Sequence, residues 1–237
     1  MINKQLLKEK SAEMGIILSA EALERFDIYA EMLVETNKTM NLTAITEPEE
    51  IVYKHFADSL SLLNAVEFKQ NSRVIDVGTG AGFPGVVLLI ARPDLQMTLI
   101  DGTNKRLGFI ADVLEKIGLS AEIVHIRAEL AGKDSAFREK FDVATARAVA
   151  NLNTLSEYCL PFVKIGGVFA PMKASKTEEE ITSAKSAIKL LGGQIKTVKE
   201  LNMEKCGERC IVVIEKISQT PPKYPRASAQ INKKPLG

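Results

Sequence analysis

The spacing of apolar residues divides the chain into a helical first part and an alternating second part. Up to residue 68, apolar side chains recur at steps of three and four, which is the period of an amphipathic helix. Ser19 can cap one such helix, expected to end near Asn37, and the capping-box pattern at 46–49 predicts the start of a second. Their apolar stripes are formed by Leu23, Phe26, Ala30 and Leu33, and by Ile51, Val52, Phe56, Leu60 and Leu63. Residues 1–68 are therefore predicted to form a small helical cap.

In residues 69–217, short apolar runs typical of strands alternate with helical segments. The predicted strands lie at 74–77, 97–101, 122–126, 141–145 and 168–172, and the predicted helices at 85–91, 107–117, 155–162 and 177–191. This alternation predicts an α/β fold with a doubly wound, mostly parallel sheet. Two last strands, around 194–199 and 210–216, have no helix between them and should form an antiparallel hairpin at one edge. The basic, proline-containing tail, 218–237, is expected to be extended or disordered.

A cluster of glycines follows the first predicted strand. Four glycines lie between positions 78 and 85, where they would let the backbone turn sharply and approach a ligand closely. The part from Gly80 to Gly85 matches the dinucleotide pattern G-x-G-x-x-G, but in that pattern the first glycine directly follows the strand, and here Gly78 does so. A Walker loop is excluded, because the run contains no Gly-Lys-Ser or Gly-Lys-Thr.

An acid, three alternating glycines and a second acid at the end of the next strand resemble the class I S-adenosylmethionine-dependent methyltransferases. These residues are Asp76, Gly78, Gly80, Gly82 and Asp101. S-adenosylmethionine has no phosphates, so the glycines would serve close approach of the backbone to the methionine and ribose. The resemblance thus predicts a Rossmann-like fold that binds this cofactor.

The glycine run, Asp101, Glu129 and Arg147 each follow a predicted strand and should converge at the carboxyl edge of the sheet. Asp101 either accepts hydrogen bonds from the ribose hydroxyls or caps the next helix, and Asp76 either bonds the amino group of the cofactor or braces the glycine turn. Glu129 either lies near the adenine or is a solvated loop acid. For Arg147 there are two interpretations. It is the residue we assign to catalysis, where it would orient the cofactor or the acceptor; alternatively, it forms a structural salt bridge with Asp142 or another acid.

Charge and cysteine content narrow the partners. The net charge is +1, but residues 1–69 carry 7 basic and 12 acidic residues, a net of −5, whereas residues 216–237 carry 5 basic and no acidic residues. A polyanion would therefore meet one part of the molecule only, and we expect the tail, Arg147 and Lys173 to meet RNA. Three cysteines in neither a zinc nor a disulfide pattern favour a cytoplasmic protein without a metal, and no apolar run is long enough to span a membrane.

The residues after the fourth strand restrict the methyl acceptor. Enzymes that alkylate an exocyclic base nitrogen carry an Asn/Asp-Pro-Pro-aromatic run there, and this chain has Ala146-Arg147-Ala148-Val149. Alkylation of a pyrimidine carbon needs a cysteine nucleophile, and none of the three cysteines qualifies. A ring nitrogen with a free lone pair, such as guanine N7, needs neither proton removal nor a covalent intermediate, so positioning supplies most of the catalysis.

Several motifs in order resemble one bacterial family, the ribosomal RNA small subunit methyltransferase G family, formerly called glucose-inhibited division protein B. The motifs are Asn37-Lys38 with Asn41-Leu42-Thr43, His55-Phe56-Ala57-Asp58-Ser59-Leu60, the run from Asp76 to Gly85, Lys105-Arg106, Arg127-Ala128-Glu129, Thr145-Ala146-Arg147-Ala148-Val149-Ala150, Tyr224-Pro225-Arg226 and Lys234-Pro235-Leu236. The resemblance covers nearly the whole chain.

The resemblance implies N7 methylation of a guanine in the 530 loop of 16S ribosomal RNA, guanine 527 in the family. It implies that Gly78, Phe83, Asp101, Gly102, Thr103, Ala128, Glu129 and Arg147 line the cofactor site. We expect a monomer that acts on the RNA or the small subunit, with Lys173 and, in the basic tail, Arg226 as RNA contacts. Gly102-Thr103 stands where the family has a serine, and Pro171 and Ala174 flank Met172-Lys173 where a leucine-rich strand and Lys-Gly are usual. A non-catalytic, cofactor-binding ribosome assembly factor is the alternative, and a dehydrogenase is disfavoured by the displaced glycines.

Overall fold

The computed structural model describes residues 1–147, 150–173, 178–203 and 205–237, with the backbone alone at 202 and 203. The motif residues Ala148 and Val149, the departure at Ala174 and the predicted helix start at 177 lie outside these ranges. The helices are α1 (Lys4–Glu13), α2 (Ala20–Met40), α3 (Pro48–Ile51), α4 (Asp58–Ala65), α5 (Gly85–Ala91), α6 (Asn104–Ile117), α7 (Ala128–Ala131), α8 (Leu152–Cys159), α9 (Glu178–Leu190) and α10 (Ser228–Lys233). The strands are β1 (Arg73–Val77), β2 (Gln96–Asp101), β3 (Glu122–His125), β4 (Phe141–Arg147), β5 (Val163–Lys173), β6 (Gly193–Met203) and β7 (Gly207–Lys216).

The seven strands form one sheet in the order β3-β2-β1-β4-β5-β7-β6. The five strands from β3 to β5 are parallel, whereas β7 runs antiparallel to β5 and to the edge strand β6. The predicted α/β class, the mostly parallel sheet and the edge hairpin are confirmed. The order of the strands reverses between β1 and β4, so the crevice expected for a ligand opens at their carboxyl ends.

Successive residues of β1 point to opposite faces of the sheet and enter different hydrophobic clusters. Val74 belongs to a cluster with the cap, α5 and α6, and Ile75 belongs to one with α8, α9 and the tail. Phe26 and Phe56 of the cap lie fully buried in the first cluster. The cap therefore packs against one face of the sheet, beside the carboxyl edge of β1.

The helical cap agrees with the prediction except at three places, which are the start of α3, the turn between α3 and α4, and the additional helix α1. Ser19 does cap α2, accepting a hydrogen bond from the amide of Ala22 at 3.1 Å. The capping box at 46–49 is wrong, because Glu47 precedes α3 without a side-chain cap bond and Pro48, with its fixed φ, begins the helix. A π-helical turn (Val52–Ala57) joins α3 to α4, and α1, with few buried apolar residues to mark it, was not predicted.

The tail differs from the expected extended or disordered segment. It folds back along α7 and α8 and contains α10, with Tyr224 and Ile231 buried. Arg138 holds its first part, because its guanidinium donates to the carbonyl oxygens of Thr220 and Tyr224 at 2.6 and 2.8 Å. Arg138 is more than 80 residues from both carbonyl groups, so no local sequence pattern predicts these hydrogen bonds. The boundaries at residues 69 and 218 stay predictions.

Candidate cofactor and acceptor site

The glycine run forms a loop that is fixed to the end of β2. The amide of Gly78 donates to the carbonyl oxygen of Ile100 at 2.9 Å. Gly78, Gly80 and Gly82 have φ values of 71, 60 and 102°, in the left-handed region that favours glycine. A Cβ atom on Gly82 would lie 2.7 Å from the hydroxyl oxygen of Tyr29. Gly82 is therefore required both by its backbone conformation and by the space around it.

Asp76 lies fully buried beneath this loop. Its Oδ2 accepts hydrogen bonds from the Thr79 hydroxyl at 2.7 Å and from the Gly85 amide at 2.9 Å, so the side chain braces the turn. Its Oδ1 is buried without a hydrogen-bond partner among the described residues. Burial raises the pKa of Asp76 to about 6. The bracing role is present, and one oxygen is left for a further donor.

Asp101 connects the glycine loop to the turn after β2. Its Oδ2 accepts from the amide of Gly80 at 3.0 Å, and its Oδ1 accepts from the amide of Thr103 at 2.7 Å. The residue that precedes α6 in the cap position is Thr103, so the alternative that Asp101 caps this helix is wrong. Each carboxylate oxygen has a second acceptor position, which remains for a ligand hydroxyl.

A first cleft of about 380 Å³ lies beside Asp101, between the ends of β1 and β2 and the helices α7 and α8. It brings together most of the predicted cofactor residues, namely Gly78, Asp101, Gly102, Thr103, Ala128 and Glu129. Tyr158 of α8 and Ser228 of the tail also line it, and their hydroxyl oxygens are 3.0 Å apart. Sequence reasoning missed these two residues, which belong to no recognisable motif.

A second cleft, of about 460 Å³, lies on the other side of the glycine loop, against the cap. It shares Gly78, Asp101 and Gly102 with the first cleft, and Gly80, Phe83 and Arg147 also line it. The ring of Phe83 stacks on the imidazole of His55, with 4.3 Å between the centroids and 17° between the planes. The two clefts are therefore adjacent along the loop, and together we call them the groove.

Arg147 lies at the end of β4 and joins the sheet to the cap. Its guanidinium donates to Oδ2 of Asp58 at 3.0 Å, to the carbonyl oxygen of Lys54 at 3.1 Å and to Nδ1 of His55 at 3.2 Å. Its Cζ lies 4.8 Å from the centroid of the Phe83 ring. The salt bridge that was one of the two alternatives for Arg147 therefore exists, with Asp58, and His55 and Asp58 both bond the cap to the sheet through Arg147.

These contacts determine the protonation state of His55. An arginine only donates hydrogen bonds, so Nδ1 of His55 must accept from Arg147, and Nε2 then carries the proton that it donates to Thr43 Oγ1 at 2.8 Å. Burial, and secondarily the charge of Arg147, lower the pKa of His55 to about 3. The imidazole is neutral near pH 7, and its one lone pair is already bonded.

A third cleft, of about 230 Å³, adjoins the second at His55 and Arg147. Its walls carry four cationic side chains, from Lys54, Arg147, Lys173 and Arg209. Asp58 lies among them, with Oδ1 at 3.3 Å from Nε of Arg209. Sequence reasoning missed Lys54 and Arg209. Arg209 could have been found from the predicted hairpin, because the last strand runs antiparallel and its first residues therefore lie at the carboxyl edge of the parallel strands.

The two predicted RNA contacts lie apart. Lys173 lines the third cleft, and its Nζ donates to the carbonyl oxygen of Ala150 and contacts Oε1 of Glu180, both at 2.8 Å. Arg226 pairs with the fully buried carboxylate of Glu157, with Nε and Nη2 at 2.8 and 2.7 Å from its two oxygens. Lys173 therefore lies in the third cleft, whereas Arg226 is bonded to α8.

No group of three or more His, Cys, Asp and Glu side chains in the described ranges could hold a metal ion. No helix in these ranges is long and apolar enough to cross a membrane. Cys159 and Cys206 are free and buried, and Cys210 is buried.

The strand order, with its reversal between β1 and β4 and the groove at that point, is that of the class I methyltransferase fold. The sheet matches that of an S-adenosylmethionine-dependent O-methyltransferase from Thermotoga maritima, with a TM-score of 0.54, 16% identity and coverage of 80% of this chain and 72% of that one. At this identity the match concerns the fold alone.

The full-length relatives give the family. The model of the rRNA small subunit methyltransferase G family matches residues 22–211. Proteins named ribosomal RNA small subunit methyltransferase G are 45% identical in Alkaliphilus metalliredigens, over 100% of both chains, and 48% identical in Clostridium beijerinckii, over 97% of this chain and 98% of the other. This chain belongs to the rRNA small subunit methyltransferase G family.

Proposed function

We propose that this protein transfers a methyl group from S-adenosylmethionine to N7 of a guanine in the 530 loop of 16S ribosomal RNA, guanine 527 in the family. Apart from family membership, one observation carries the proposal: the three clefts are neighbours that share lining residues. The first two share Asp101, and the last two share Arg147. A cofactor held along the glycine loop would thus reach the cation-lined end, where an RNA would enter.

The residues of the first two clefts suit the parts of S-adenosylmethionine. Asp101 would accept from the ribose hydroxyls, because each of its oxygens keeps a free acceptor position, and Glu129 and Ala128 would face the adenine. The glycine loop, with Gly78 and Gly80 in its wall, would allow close approach of the methionine part. Asp76 would brace this loop from beneath, because its side chain is fully buried and lines none of the three clefts. When bound, this cofactor supplies an electrophilic methyl group on a sulfonium sulfur.

The groups next to the loop favour an acceptor that needs no proton removal. His55 has its single lone pair bonded to Arg147, and the carboxylate of Asp58 is shared between Arg147 and Arg209. Neither side chain is therefore free to act as a general base. A guanine N7 lone pair attacks a methyl group without losing a proton, so the task of Arg147 and Phe83 would be to orient the reactants.

The third cleft suits the backbone of an RNA. Lys54, Arg147, Lys173 and Arg209 converge there on a chain whose net charge is only +1. Phosphate contacts of this kind position a nucleic acid without reading its bases. We assign Lys173 to such contacts and propose that the protein acts as a cytoplasmic monomer on 16S ribosomal RNA or the small subunit.

The decisive experiment maps N7-methylguanine in 16S RNA from cells with and without this gene. The modification at guanine 527 should be present with the gene, absent without it, restored by the wild-type gene and not restored by Arg147→Ala. Lys8→Ala, which removes an exposed charge from α1, is the matched control and should restore it. An unmodified guanine 527 in cells that express the wild type overturns the proposal.

A second experiment separates this function from cofactor binding alone. The purified protein should be stabilised against heat by S-adenosylmethionine and not by NAD, and should transfer labelled methyl groups to 16S RNA or to small subunits. Tight binding to the subunit without label transfer would instead favour the assembly factor, and stabilisation by NAD alone would favour a dehydrogenase.

A further inference from the structure

We propose that the C-terminal segment, defined here as residues 220–233, forms a wall of the adenosine end of the cofactor groove, with Arg226 as a positioning residue for cofactor binding. This inference rests on the proposed function. It assigns to Arg226 a role other than the RNA contact that the sequence suggests.

The segment reaches the first cleft directly. Ser228, the first residue of α10, lines that cleft together with Tyr158 of α8, and their hydroxyl oxygens lie 3.0 Å apart. Asp101 and Glu129 are on the same lining. A nucleoside that reaches Asp101 with its ribose would therefore have the two hydroxyl groups of Tyr158 and Ser228 nearby as hydrogen-bond partners.

Arg226 fixes the segment to the helix that carries Tyr158. Glu157, the neighbour of Tyr158, is fully buried, and one of its oxygens accepts from both the amide and Nε of Arg226, at 2.9 and 2.8 Å. The other oxygen accepts from Nη2 at 2.7 Å. A fork of two parallel bonds from a guanidinium to a carboxylate fixes orientation as well as distance. Ser228, two residues after Arg226, is thereby held at the cleft.

The same segment packs against the opposite wall. Gly132 follows α7, whose first residues Ala128 and Glu129 line the cleft, and a Cβ atom at Gly132 would lie 3.0 Å from Cγ of Pro225. Arg138 donates to the carbonyl oxygens of both Gly132 and Tyr224, at 2.8 Å each. The segment thus joins α7 to α8 and determines the width of the cleft between them.

The test measures binding of S-adenosylhomocysteine to the free protein by calorimetry, without RNA. Arg226→Ala should weaken binding at least tenfold and raise the KM for S-adenosylmethionine while kcat stays within about twofold, since the reacting atoms lie elsewhere. Arg226→Lys, which keeps the charge, should restore part of the affinity. Lys189→Ala removes a positive charge from an exposed position of α9, outside the segment, and should leave both constants unchanged.

Ser228→Phe addresses the case in which loss of Arg226 unfolds the protein, because it fills the cleft while leaving the bonds between Arg226 and Glu157 in place. It should abolish nucleoside binding at an unchanged melting temperature.

If the wild type binds S-adenosylhomocysteine and both Arg226→Ala and Ser228→Phe bind it equally well, this inference fails while the proposed function stands. A wild type that does not bind it at all removes the proposed function itself. If Arg226→Ala changes only RNA affinity and its salt dependence, the segment belongs to the RNA interface and the inference is overturned.

Discussion

Asp58 of the cap and Arg147 of the sheet form an ion pair with 3.0 Å between Oδ2 and Nη1, and little of either side chain is exposed. The second oxygen of Asp58 is 3.3 Å from Nε of Arg209. One carboxylate from α4 therefore sets the positions of two cations that line the third cleft. The cap covers one face of the sheet and also completes the site where we place the acceptor.

Asp58→Asn should impair both stability and methyl transfer. It leaves the charges of Arg147 and Arg209 without their buried partner, which typically costs about 3–5 kcal/mol of unfolding free energy. We expect a loss of that order in denaturant unfolding and a kcat at least tenfold lower. Glu35→Gln, which breaks an ion pair between two exposed side chains, should change the unfolding free energy by less than about 1 kcal/mol. Equal results for the two variants would refute the coupling.

The sequence could predict those parts of the site that depend on local pattern. Gly78, Asp101, Glu129 and Arg147 were expected to converge because parallel strands place their carboxyl ends at one edge, and all four line the two adjacent clefts. Asp58 and its partner Arg147 are 89 residues apart, and no periodicity encodes such a contact. Glu157 and Arg226 are likewise 69 residues apart, so the fold of the tail was mispredicted.

Gly82→Ala should disrupt the cofactor loop. The new Cβ atom would meet the Tyr29 hydroxyl and a Val86 methyl group, each at 2.7 Å, at a φ of +102° that alanine rarely adopts. We expect a destabilisation of about 1–3 kcal/mol and loss of S-adenosylhomocysteine binding. Gly108→Ala, inside α6 with no atom within 4 Å of the new Cβ, should stabilise the protein by up to about 1 kcal/mol and leave binding intact. Normal binding by Gly82→Ala would show that the loop tolerates this change.

Asp101→Ala should weaken cofactor binding more than it weakens the fold. The change removes the acceptor for two backbone amides of the groove, at Gly80 and Thr103, together with the proposed ribose contact. We expect the Kd for S-adenosylhomocysteine to rise at least tenfold, or by about 1.4 kcal/mol. Calorimetric titration measures this directly. Asp112→Ala, which removes an exposed carboxylate from α6, should bind as the wild type does, and an unaltered Kd in Asp101→Ala would rule out the ribose assignment.

Two buried groups at the loop should drive opposite changes of stability with pH. The pKa of Asp76 in the folded protein is about 6, above its usual value of about 4. The stabilisation that Asp76 gives the folded state is therefore present below pH 4 and is lost as the pH rises from about 4 to 6. The folded pKa of His55, about 3, lies below its usual value of about 6.5, so its contribution is lost as pH falls from about 6.5 to 3. Between pH 4 and 6 the two effects oppose each other, each with a slope of at most about 1.4 kcal/mol per pH unit.

Single substitutions should therefore expose slopes of opposite sign. Asp76→Asn removes the term that falls with pH, so its unfolding free energy should rise more steeply between pH 4 and 6 than that of the wild type. His55→Gln removes the term that rises with pH and keeps an acceptor for Arg147 and a donor for Thr43, so its unfolding free energy should rise less steeply or fall. Urea unfolding at half-unit steps of pH measures the slope of the unfolding free energy for each variant and for the wild type. The other carboxylates titrate in all three proteins, so their effect cancels in the comparison. If both variants run parallel to the wild type across this window, neither Asp76 nor His55 has the shifted pKa on which the prediction depends.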